Sequence, residues 1–156
     1  MNIIKGIYID DTTHFYLETI MFAETVLLPV PEGLLIDDRM DVDEDHPLYG
    51  VAEQEPLDHY FEIDDFTVES LRKASEDVAN FFDHLEEEGL LDEARRHADD
   101  EQIAYDFWLT RNGHGAGFWD GDYGDELGKT LTEICAGYSN QHVFVDESGC
   151  LHIEEG

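Results

Sequence analysis

From Thr67 to Gly89 the chain reads TVESLRKASEDVANFFDHLEEEG, with Val68, Leu71, Val78, Phe82 and Leu85 at helical spacing and Ala74 and Phe81 beside them. Recurrence at i, i+3 and i+7 predicts a helix with one buried face, capped by Thr67 and stopped at Gly89. The opposite face is acidic: Glu69, Glu76, Asp83 and Glu87 follow at steps of seven, seven and four. At 1.5 Å rise per residue they lie about 6 to 10 Å apart along the axis. A helix this one-sided has to lie on a core, so the rest of the chain must supply one.

It has the means: 156 residues, 42% of them hydrophobic, are about one domain's worth and enough to fill a core without metals or disulfides. We expect a single domain over residues 1–156, with an acidic, partly irregular region 1–65 and an α+β core over 66–156. NIIKGIYID, Asn2 to Asp10, reads as a strand, and TTHFYLETIMFAETVLL after it as a helix. Pro29 to Asp65 holds all four prolines and 13 acids against one basic residue, Arg39, and reads as a surface excursion with a short strand at LLID. LLDEARRHADDEQ reads as a second, short helix.

The stretch DFWLTRNGHGAGFWDGDYGDELGKTL, Asp106 to Leu131, is rich in glycine and tryptophan. Asn-Gly is the favoured type I′ hairpin turn, so Asn112-Gly113 predicts that Ile103 to Arg111 pairs with His114 to Asp120. In that register Trp108 faces Gly117 and Thr110 faces Gly115, with Phe107 and Phe118 on the other side. Leu127 to Tyr138 then repeats helically, and HVFVDESGCLHIEE closes as a second hairpin with Val143, Val145, Leu151 and Ile153 inward. The expected fold is α+β: a small antiparallel sheet of two C-terminal hairpins, optionally joined by the N-terminal strand, packed on two or three helices.

Charge bounds the partners. Eight Lys and Arg against 39 Asp and Glu leave a net charge of -31. That argues against direct nucleic-acid binding by a basic face and against attraction to anionic lipid. A globule of this length is about 40 Å across, from a radius of gyration of about 15 Å. Roughly 40 Å of duplex DNA carries about 23 charges, so the protein's charge per unit length matches or exceeds that of DNA. No apolar run approaches a membrane span, since IMFAETVLLPV is broken by Glu24 and Pro29. Cys135 and Cys150 form no CxxC, and the N-terminus has no signal-peptide pattern, so a cytoplasmic setting is expected.

Motifs for chemistry are weak. Gly128, Lys129 and Thr130 end a phosphate loop whose first glycine position is Tyr123, and Asp122, Asp125 and Glu126 would repel phosphate. Asp120, Asp122 and Asp125 are candidates for a cation in a glycine-rich turn, although neither they nor DVDEDHPLYG have EF-hand spacing. His114, at the expected hairpin tip, belongs to no HExxH or Cys/His pattern. No GxSxG is present, and Cys135 falls on the inner side of its helix. No catalytic residue and no cofactor is expected.

At DFWLTRNGHGAGFWD, Asp106 to Asp120, the chain resembles a family of small, acidic, largely uncharacterised proteins of phages and plasmids. The resemblance extends back through FTVESLRKASEDVANF and forward through LGKTLTEICAGY to VFVDESGCLHI. It departs after Trp119-Asp120, where Gly121 stands in place of a frequent arginine, and it does not reach Met1 to Asp64. Together with the charge it implies a DNA mimic that occupies the cleft of a cationic, DNA-binding host protein, a restriction or CRISPR nuclease, and inhibits it without being an enzyme. The acids expected to stand in for phosphates are Asp37, Asp38, Asp41, Asp43, Glu44, Asp45, Glu69, Glu76, Asp83 and Glu87. A homodimer is left open. The alternatives are a non-mimic accessory protein whose acidity is generic or halophilic, and a cation-binding protein built on the Asp120 to Asp125 turn.

Overall fold

The computed structural model describes residues 2–29, 52–114, 117–119 and 122–155, with the side chains of 26–29 and 52–55 left aside. It is α+β. The chain opens with β1 (Asn2–Ile4) and β2 (Ile7–Ile9), then α1 (Asp11–Ala23) and β3 (Thr25–Pro29). After residues 30–51 come β4 (Ala52–Pro56) and two 3₁₀ turns, Leu57–His59 and Ile63–Asp65. There follow α2 (Val68–Glu87), α3 (Leu91–His97), α4 (Asp100–Arg111), α5 (Asp125–Cys135), β5 (Gln141–Val145) and β6 (Leu151–Glu155). Among the described residues the six strands form three separate antiparallel pairs, β1 with β2, β3 with β4 and β5 with β6, rather than the one small sheet expected.

The amphipathic run forms α2 as its periodicity requires. The Thr67 hydroxyl accepts the Ser70 amide, and Leu71, Ala74, Val78, Phe81 and Leu85 are buried. The C-terminal hairpin also forms as expected, with Val143 opposite Ile153 and Val145 opposite Leu151. It is tied to α2: the Thr67 amide donates to the Leu151 carbonyl, and the Ile153 amide to the Ser70 hydroxyl at 2.9 Å. Core residues from Ile4 to Ile153 form one cluster, so the N-terminal elements share one core with the elements after residue 65. None of the described helices is long and apolar enough to cross a membrane.

Three further expectations fail. The first strand is a tight hairpin, turned by Lys5 and Gly6 at φ 51° and 81°. Both angles suit a type I′ turn, which Lys-Gly does not advertise as Asn-Gly does. The first helix ends at Ala23, and Thr25 to Pro29 continues as a strand paired with Ala52 to Pro56, inside the excursion read as irregular. The strand at LLID lies outside the described residues.

The third failure is the largest: Ile103 to Arg111 is not a hairpin arm but belongs to α4. Asp99 caps it by accepting the Gln102 amide, and Asp100 and Glu101 occupy the favourable first turn. Ile103, Ala104, Phe107, Trp108 and Leu109 are all buried. A segment buried on most of its sides is what a central helix is, and i, i+3, i+4 spacing describes it better than alternation. Asn112-Gly113 is the helix stop. Gly113 at φ 69° donates to the Thr110 carbonyl and His114 to that of Leu109, the paired bonds of a left-handed C-terminal cap. Gly117 accordingly faces Thr110 and the Trp119 ring, not Trp108.

Gly128 has a packing role. A Cβ there would lie 2.5 Å from the Phe118 carbonyl oxygen, and backbone cannot swing aside as a side chain can. Gly128→Ala is expected to cost about 1–3 kcal/mol, measured as a lower urea midpoint at unchanged slope.

Candidate functional site

In the first part of the glycine- and tryptophan-rich stretch, from Asp106 to His114, the polar side chains are bound within the protein. Asp106 is buried and accepts the Tyr123 hydroxyl at 2.7 Å and the Gln102 amide at 3.3 Å. Trp108 Nε1 donates to Glu24 Oε2 at 3.0 Å, and His114 Nε2 lies 2.6 Å from the same oxygen. The Thr110 hydroxyl accepts the Phe118 amide. Asn112 donates to the Trp108 carbonyl and accepts the Gln141 amide at 2.7 Å.

Arg111 is the hub. Its side chain is 2% exposed and pairs with Asp77 Oδ2 at 2.9 Å. It also donates to the Ser139 carbonyl at 3.1 and 2.8 Å and to the Tyr16 hydroxyl at 3.3 Å. The guanidinium lies over the Phe107 and Tyr138 rings, 5.1 and 5.6 Å from their centroids. Five donors in a planar fork meet an anion, two neutral oxygens and two π faces, a set that an ammonium could not satisfy. The result joins α1, α2, α4 and the turn before β5. Sequence reasoning missed this hub; the available signal was Arg111 following the apolar Phe107, Trp108 and Leu109.

The remaining chemical candidates are structural or undeveloped. Burial pushes the Tyr16 phenol and the Cys135 thiol up, away from nucleophilic use. Gly128 and Lys129 sit inside the first turns of α5, lining with Trp119, Asp125 and Glu133 an open cavity of about 320 Å³. Asp122 and Asp125 are exposed, and Asp120 lies outside the described residues. Among the described residues no group of three or more His, Cys, Asp or Glu is arranged to hold a metal ion.

One surface acid stands out. Glu155 accepts a bond from Lys73 Nζ at 2.8 Å, the Ser139 hydroxyl and the Gln141 amide. The Lys73 bond, then that of Ser139, holds its carboxyl well below the usual range, at about 2. A depressed folded-state value stabilises the protein above pH about 4.5, the ordinary value, and that stabilisation disappears as pH falls from there towards 2. Glu155→Gln is therefore expected to be less stable than wild type at pH 6, with the gap closing by pH 2 to 3. Thermal melts of both proteins across that range check it.

The candidate site is thus the acidic surface. Glu69, Glu76, Asp83 and Glu87 are all exposed on α2. At 100° per residue they stay within an arc of about 40° and span about 27 Å of axis. Arg72 and Lys73 flank the first half of this row. Its second half ends in exposed Asp83, Glu86, Glu87 and Glu88, and exposed Asp92 and Glu93 follow in the first turn of α3, with Arg95 lining a cleft beside Glu86 and Asp92. Glu86, Glu87 and Glu88 stand at the carbonyl end of α2, where the helix dipole disfavours anions. Of the other acids expected to act, Asp37, Asp38, Asp41, Asp43, Glu44 and Asp45 lie outside the described residues. Exposed acids also occur on α1, α4 and α5.

Fold and surface together describe an acidic α+β protein whose most distinctive segment is scaffold. None of the protein-family models, curated proteins or solved structures compared with this chain matches it.

Proposed function

We propose that this protein is a phage or mobile-element DNA mimic, which inhibits a host defence nuclease by filling its DNA-binding cleft with carboxylates and does no chemistry itself. The observation that carries the reading is the exposed row Glu69, Glu76, Asp83 and Glu87 running into the α2–α3 corner. A cleft lined with Lys and Arg is attractive to any rigid array of anions at suitable spacing. Three acids held at the unfavourable end of α2 support it further, because placement there works against stability.

The protein's partner on this reading is cationic, DNA-binding and cytoplasmic, and the protein binds no nucleic acid. The test is capture from a bacterial lysate on the immobilised protein, eluted with duplex DNA. One dominant DNA-binding protein released by DNA supports mimicry, and a diffuse set of basic proteins counts against it. The triple change Glu86→Gln, Glu87→Gln, Glu88→Gln relieves the dipole penalty but also removes the contact of Glu88 with His84 and the attraction of Glu86 for Arg95. It is therefore expected to gain no more than about 1 kcal/mol, a Tm increase of at most roughly 4 °C, while weakening capture.

A second reading has its own observation. Acids stand on α1, α4 and α5 as well as α2, as in a generic acidic surface adapted to high salt. On that reading the triple change leaves capture unaltered.

A further inference from the structure

A groove on another part of the surface combines apolar and acidic residues. Met21 and Phe22 of α1 form one wall, and Asp58, Phe61, Glu62 and Ile63 of the 3₁₀ segment form the other, around a volume of about 370 Å³. Met21 is buried and Phe61 and Ile63 are half-buried, whereas the Phe22 ring is 65% exposed. Glu18, one turn before Phe22, stands on the rim with Asp58 and Glu62. Among the described residues no Lys or Arg lines it.

We infer that this groove docks a cationic amphipathic helix of a partner protein, with an apolar side chain against Phe22 and flanking Lys or Arg on Glu18, Asp58 and Glu62. Burying an exposed aromatic face supplies the anchor. The acidic rim selects the charge of the occupant and its orientation. It also disfavours occupants from within. Residues 30–51 carry Glu32, Asp37, Asp38, Asp41, Asp43, Glu44 and Asp45 against Arg39 alone, and a second copy would bring another net charge of -31. The groove requires an apolar anchor, which DNA mimicry does not, so the two proposals can fail separately.

The test uses two fluorescent peptides of about four helical turns, one with Leu at i, i+3, i+4 and i+7 among Lys, the other with Ala replacing each Leu. At about 0.15 M salt the intact protein is expected to bind the Lys/Leu peptide about tenfold tighter or more than the Lys/Ala peptide. Phe22→Glu, at a position too exposed to endanger the fold, adds a carboxylate but removes the anchor. It is expected to abolish that preference while Lys/Ala binding holds or strengthens, with amide shifts on the intact protein centred on Met21, Phe22, Phe61 and Ile63. A preference that survives Phe22→Glu, or shifts centred on α2, would overturn the inference. So would sedimentation showing self-association that Phe22→Glu dissolves, because that assigns the groove to a second copy.

Discussion

Arg111→Met destabilises the protein by about 3–5 kcal/mol, the cost of leaving a buried partner's charge unpaired. Asp77 loses its cation, the Ser139 carbonyl loses two donors, and the Phe107 and Tyr138 rings each lose the guanidinium beside them. Because Asp77 keeps some access to water, the lower end of that range is expected. Arg111→Lys recovers little, since one ammonium cannot reach Asp77, Ser139 and Tyr16 in the geometry of the fork. Pairing Arg111→Met with Asp77→Leu recovers part of the loss by removing the orphaned charge. Urea unfolding of the four proteins checks the series. Equal stability of Arg111→Met and wild type would mean that the hub does not hold α2, α4 and the turn before β5 together.

Phe107→Ala has an effect of similar size from a different cause. Phe107 is fully buried, stacks on Phe81 at 4.1 Å between centroids, and meets Tyr16 and the edge of Tyr138. Removing a ring from such a cluster costs about 3–5 kcal/mol, through lost burial plus the cavity left behind. Three elements surround the gap, so collapse is restricted and the upper half of that range is expected. Phe107→Leu refills most of the volume and is expected to restore much of the loss. A far smaller loss in Phe107→Ala would place Phe107 at the surface and reject the helical packing of α4.

These two residues also show where sequence reasoning reached and where it stopped. The α2 face was legible because its periodicity is unmixed and Thr67 and Gly89 mark both ends. The β5–β6 hairpin was legible because Val143, Val145, Leu151 and Ile153 alternate about a turn. α4 was not, because burial on nearly every side removes the polar stripe that distinguishes a helix from a strand, and Asn-Gly serves a hairpin turn and a helix stop equally. The Lys5-Gly6 turn was hidden for a similar reason: its left-handed backbone is imposed by the pairing on either side. At the surface, the acid row on α2 followed from spacing alone. The Arg111 hub did not, because Asp77, Tyr16 and Ser139 lie 28 to 95 positions from Arg111, and no local pattern reports such distant partners.

The proposal that α2 and the α2–α3 corner occupy a DNA-binding cleft is tested most directly by competition. With a captured nuclease purified, its affinity for this protein is measured at a series of duplex DNA concentrations, for the wild type and for Glu69→Gln, Glu76→Gln, Asp83→Asn, Glu87→Gln combined. Mimicry predicts that the apparent Kd rises in proportion to DNA concentration, and that the neutralised row binds at least about tenfold more weakly, about 1.4 kcal/mol. An apparent Kd independent of DNA, or equal binding by the neutralised row, would contradict it.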